Sequence, residues 1–138
     1  MIKLIIGNKG AGKTKKLIDL VNLCVENSDG NVVCVEKEPK LTYDVSSRAR
    51  LLETDTYAIR GHKAFYGYLA GICAGNYDVT DILVDATFKI VGREYEKLPQ
   101  FFEMLTSLSN ATDINFYFTI SCDKEDLPVE IFDYCEEI

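Results

Sequence analysis

Gly7-Asn8-Lys9-Gly10-Ala11-Gly12-Lys13-Thr14, GNKGAGKT, decides how the rest of the sequence is read. The stretch has three glycines and two lysines in eight residues, which suits neither a helix nor a strand interior. Its flanks are regular. Before it runs the apolar IKLII, which closes on Gly7 and fits a buried parallel strand. After it, from Lys13 to about Glu26, the apolar residues Leu17, Leu20, Val21 and Cys24 repeat on one helical face. The glycines therefore sit where a strand gives way to a helix.

Further along, NVVCVE (Asn31 to Glu36) reads as a second buried strand, after the turn residues NSDG. Residues 37–60 carry Pro39 and many polar side chains and read as a long loop, with ARLLET or TYAIR able to form a short strand. GHKAFYGYLAGICAGN puts Phe65, Tyr68, Leu69 and Ile72 on one helical face. DILVDA is a third strand, Leu98, Phe101, Phe102, Leu105 and Leu108 mark the next helix, and INFYFTIS is a fourth strand. DLPVEIFDYCEEI spaces Leu127, Ile131 and Cys135 as an amphipathic helix would. This alternation predicts a three-layer α/β/α domain over residues 1–138, with a mainly parallel sheet of four to five strands. Ligands of such sheets bind beyond the carboxyl ends of the strands, where Gly7 lies.

The stretch matches G-x-x-x-x-G-K-[ST], the phosphate loop. Glycines let the backbone curl so that successive amides face phosphate oxygens, and the following helix aims its positive end there. Gly7, Asn8, Lys9, Gly10, Ala11, Gly12, Lys13 and Thr14 are the expected contacts of a nucleoside triphosphate, ATP or GTP. Lys13 is expected on the β- and γ-phosphates and the Thr14 hydroxyl on Mg²⁺. Asp85 ends an apolar strand in DILVDAT, where a carboxylate completes a magnesium site. Its neighbour is Ala86, where many ATPases place a glutamate, so the water-activating base is sought in Glu36 or Glu38 at the end of the second strand. Thr119 and Ser121 offer hydroxyls at the end of the fourth strand. Arg48, Arg50, Arg60 and Arg93 are candidate charge stabilisers that nothing in the sequence separates, and His62, the sole histidine, reads as a capping or surface residue.

Net charge is −7, which argues against a nucleic-acid partner. Charge is uneven: residues 1–16 hold five lysines and no acid, and residues 123–138 hold seven acids and one lysine. The acidic end reads as a solvated helix face. The five cysteines include no C-x-x-C pair, so buried thiols are expected in place of a zinc site or disulfides. No window is long and apolar enough to span a membrane, and the first residues do not read as a signal peptide, so a cytoplasmic protein is expected.

By its phosphate loop the chain resembles the P-loop NTPases, and by VVCVEKE and DILVDAT their RecA-like branch. There the second strand ends in a catalytic glutamate, and a small residue follows the metal-binding Asp. The resemblance implies the base role for Glu38 or Glu36 and the magnesium role for Asp85. The chain is also similar to a group of short bacterial P-loop proteins, some labelled twitching-motility ATPases, although motility motors carry histidine- and aspartate-rich motifs that one histidine cannot supply. It is similar too to thymidine kinase, which has Asp-Glu at Asp85-Ala86 and paired zinc-binding cysteines that this chain lacks. The expectation is a nucleotide-binding protein with slow Mg²⁺-dependent hydrolysis, acting as a switch or as part of a homo-oligomer or protein complex. The alternatives are a small-molecule kinase with residues 37–60 as a lid, and a nonhydrolysing regulatory module.

Overall fold

In the computed structural model, which describes residues 1–138, the chain begins with β1 (Ile2–Ile6), whose side chains alternate between two cores. Ile2 and Leu4 enter one core and Ile5 the other, the two-residue period that marks a strand covered on both faces. β2 (Asn31–Glu36), β4 (Val79–Val84) and β5 (Asn115–Ile120) follow the same rule, with Val33, Ile82 and Phe116 on one side and Cys34, Leu83 and Tyr117 on the other. Two shorter strands, β3 (Arg50–Glu53) and β6 (Glu136–Glu137), close the edges. All pairings are parallel, and the order across the sheet is β3-β2-β4-β5-β1-β6. The sheet thus has six strands, more than the four to five expected: β3 falls within ARLLET, and β6 is too short to leave a periodic signal.

Helix α1 (Lys13–Asn27) covers one face through Leu17, Val21 and Cys24. Residues 37–49 help it: Leu41, Val45 and Ala49 are buried in the same core, held by a turn in which the amides of Asp44 and Val45 donate to the Leu41 carbonyl. The segment expected as a loop is therefore part of that layer. On the opposite face lie α2 (His62–Gly75), the short α3 (Thr87–Val91) and α4 (Leu98–Thr112). There Phe101 and Phe102 meet Phe118 edge to face at ring separations of 6.1 and 5.5 Å.

The expected C-terminal helix is absent. Residues 124–126 and 129–133 form short 3₁₀ turns of three and five residues, and the chain then enters β6. Pro128, with ψ of 129°, is extended and has no amide to give, which breaks any helix through it. Leu127, Ile131 and Cys135 are nevertheless buried, as their spacing suggests. All five cysteines are free thiols, and no helix is long and apolar enough to cross a membrane.

The sheet order brings three strand ends together. β5 lies between β4 and β1, so Thr119 and Ile120 separate Asp85, which follows β4, from the glycine loop, which follows β1.

Candidate functional site

The glycine loop leaves β1 with the Gly7 amide on the Ile120 carbonyl at 3.2 Å, which ties its root to β5. Within it the Ala11 amide donates to the Asn8 carbonyl at 3.0 Å. Gly10 and Gly12 have φ of +87° and +83°, a region that L-residues avoid, so these two positions need glycine for conformation. At Gly7 the reason is space: a Cβ there would lie 3.0 Å from that of Ala11. The amides of Lys9, Gly10, Gly12, Lys13 and Thr14 donate to no backbone carbonyl. The last two belong to the unpaired first turn of α1, which has no side-chain cap. A run of free amides at a helix start is the arrangement that holds phosphate. Lys13 is buried, and its ammonium donates to the Asn8 carbonyl at 3.1 Å. The Asn8 side-chain amide donates to Asp123, so the loop is also braced from the turn after β5.

Beside the loop, the Thr14 hydroxyl lies 3.3 and 3.2 Å from the two carboxylate oxygens of Asp85. The oxygens of a hydroxyl and a carboxylate suit Mg²⁺, which takes one or two protein ligands and completes its shell with water and phosphate. No group of three or more His, Cys, Asp or Glu side chains could hold a metal alone, so a cation here depends on a second ligand. Asp85 is itself positioned. Thr119, 1% exposed, donates to its Oδ1 at 2.8 Å and accepts from the Ala86 amide at 2.7 Å. Ala86 has φ of +53°, and this left-handed residue turns the chain from Asp85 into α3. Thr119 thus uses its hydroxyl on a local backbone amide and on the carboxylate.

Neither a model of a known protein family nor a curated protein matches the chain. The fold is a parallel α/β sheet flanked by helices, and the site is read from its own groups.

A cavity of about 140 Å³ adjoins Thr14 and Asp85. Both glutamates singled out in the sequence line it, with Lys40 and Lys89. They differ sharply. Glu36 is 3% exposed and accepts from the amides of Lys40 and Leu41 at 2.9 and 3.5 Å. Burial raises its pKa above the ordinary 4.5, those two amides pull it back, and Glu53 and Asp85 add to the rise. Glu38 is exposed, and its carboxylate pairs with Lys40 at 3.3 Å. Lys40 and Lys89 lie close together, and the neighbouring Lys40 lowers Lys89 below the usual lysine value, while Lys40, beside Lys89 and paired with Glu38, is raised.

The remaining candidates do not line that cavity. Arg93 donates to the Ser121 carbonyl at 2.9 Å and stacks over Phe88 at 5.0 Å, and Arg50 begins β3. His62 is buried at the start of α2 and makes no capping bond, so it is neither of the things expected. Lys40 and Lys89 could not be found from the sequence, because they sit 49 positions apart in segments without a motif. The four-residue spacing of Leu41, Val45 and Ala49 was the available sign that the segment carrying Lys40 is packed.

Proposed function

We propose that the chain binds a nucleoside triphosphate with Mg²⁺ at the loop from Gly7 to Thr14, as the P-loop NTPases it resembles do. The observation that carries this reading is the contact between the Thr14 hydroxyl and Asp85 beside a run of unpaired amides. The two residues are distant in sequence, and a metal site at a phosphate loop needs them together. In the proposed complex the amides and the α1 N-terminus hold the β-phosphate, Lys13 leaves the Asn8 carbonyl for the β- and γ-oxygens, and Thr14 and Asp85 hold Mg²⁺ and its waters. The metal supplies charge neutralisation on the phosphates when bound.

Hydrolysis on this reading is slow, and its base is Glu36. A buried carboxylate with a raised pKa accepts a proton at neutral pH better than the exposed, lysine-paired Glu38. Two backbone amides already occupy Glu36, which limits its reach to water and supports a low rate. A switch that binds triphosphate and turns over slowly fits these features.

Calorimetry with ATP, GTP and their diphosphates, with and without Mg²⁺, tests the reading. Lys13→Ala should weaken triphosphate binding by roughly tenfold to a hundredfold, as expected for one or two lost charge-assisted bonds. Asp85→Asn should remove most of the gain due to Mg²⁺ and spare metal-free binding. Wild-type affinity in Lys13→Ala would overturn the reading.

A further inference from the structure

A cavity larger than the one beside the glycine loop lies elsewhere in the molecule. It lies at the start of α2, has a volume of about 830 Å³, and is lined by Arg60, His62, Lys63, Tyr66, Lys97 and Phe101 among others. That volume suits a small organic ligand.

Three observations describe what would fit. The first is the helix start itself. α2 is 14 residues long, and its N-cap is Gly61, which has no side chain to offer. Only from Phe65, which donates to the Gly61 carbonyl at 3.0 Å, is an amide of this helix paired, so those of His62, Lys63 and Ala64 are free. All three residues line the cavity. The second is charge. Arg60 and Lys63 form no ion pair, whereas Lys97 is held by Glu94 at 2.8 Å. The third is His62. It is 8% exposed, and neither ring nitrogen has a hydrogen-bond partner.

An imidazole offers one donor and one acceptor, and leaving them unpaired in the interior is destabilising. Burial also lowers its pKa below 6.5, against the opposing effect of Glu94, so the ring is neutral at neutral pH. Phe101, which meets the ring edge to face at 5.8 Å, supplies no polar partner. His62 lines the cavity, so a molecule seated there changes the surroundings of its ring.

We propose that this cavity binds a small organic anion, a carboxylate or phosphate on a flat apolar body, with the anionic group on the free amides of α2 between Arg60 and Lys63 and the body against Tyr66, Phe101 and His62. The free amides and the two cations select the anion. The aromatic rings select the body, because a bare ion makes no contact with them. The site shares no lining residue with the cavity beside Thr14 and Asp85, so it stands whether or not the glycine loop holds a nucleotide.

The single histidine makes the test direct, since its ring gives one set of proton NMR signals. The full chain is titrated with phenyl phosphate, benzoate, inorganic phosphate and acetate. One of the first two should move the His62 signals saturably, at least about tenfold tighter than the matching bare anion, and which one does so identifies the anionic group. Arg60→Ala and Lys63→Ala, both at exposed positions that should leave folding intact, should each weaken that binding by roughly fivefold to tenfold. Lys13→Ala, which alters the glycine loop and lies outside this cavity, tests independence from that loop and should leave the titration unchanged. The proposal is overturned if no anion gives a saturable His62 shift, if bare and aromatic anions act alike, or if both substitutions leave the affinity untouched.

Discussion

Replacing Thr119 with valine removes one hydroxyl and keeps the shape. That hydroxyl accepts from the Ala86 amide at 2.7 Å and donates to Asp85 at 2.8 Å. In Thr119→Val the Ala86 amide faces a methyl group, and an unpaired amide in the interior costs about 1–3 kcal/mol. The lost bond to a carboxylate is worth about 1.5–3 kcal/mol when fully buried. Asp85 is only half-buried and can take water instead, so about 1 kcal/mol of that is expected. The sum is about 2–4 kcal/mol, which for a chain of this length lowers the melting temperature by roughly 6–15 °C. Thermal unfolding followed by circular dichroism measures it, and Thr119→Ser, which keeps the hydroxyl, should recover most of the loss. The same variant should reduce the part of nucleotide binding that depends on Mg²⁺, because Asp85 loses the group that orients it. A Thr119→Val melt within about 2 °C of wild type would refute the reasoning, because the two bonds would then carry no weight.

Glu36→Gln should show a pH-dependent effect. The folded state raises the Glu36 pKa, so it holds the proton more tightly than the unfolded chain, and stability falls as pH rises from about 4.5 through the raised value. Urea unfolding from pH 4 to 7 should find Glu36→Gln gaining on wild type across that window, and a constant difference would contradict the sign. Hydrolysis, if measurable in the wild type, should fall in the same variant. Gly12→Ala should destabilise by about 1–2 kcal/mol through backbone torsion alone, because the added methyl meets nothing within 4 Å; urea titration measures it. Phe102→Ala, deep between Phe101 and Phe118, should cost about 3–5 kcal/mol and is read the same way.

The strands that form the middle of the sheet were legible because each alternates between two apolar faces, and α1, α2 and α4 because Leu17 and Val21, Phe65 and Leu69, and Phe101 and Leu105 repeat at helical spacing. The C-terminal segment misled for a physical reason. Leu127, Ile131 and Cys135 need only recur on one side of the chain to be buried, and tight turns on either side of Pro128 achieve that as well as a helix. β3 falls within ARLLET, one of the two stretches able to form a short strand, whereas β6 escaped because two residues are too few for a period and its pairing with β1 is decided far away in the chain. The same holds at the site. GNKGAGKT announces itself, whereas the hold of Thr119 on Asp85 is created by strand order. The role of His62 was illegible because burial and the lack of a partner are properties of its surroundings.

The placement of β5 between β4 and β1 has a bearing on synthesis at the ribosome. The Gly7 amide rests on the carbonyl of Ile120, and β1 and β2 never touch, since β4 and β5 fill the gap between them. The first strand to emerge must therefore wait for residues more than a hundred positions later before its glycine loop has a floor. Until then the apolar stretch of β1 has no native strand partner, whereas β2 can pair with β3 and β4 as they are made, and the nascent chain depends on speed or on a chaperone to keep β1 from pairing wrongly.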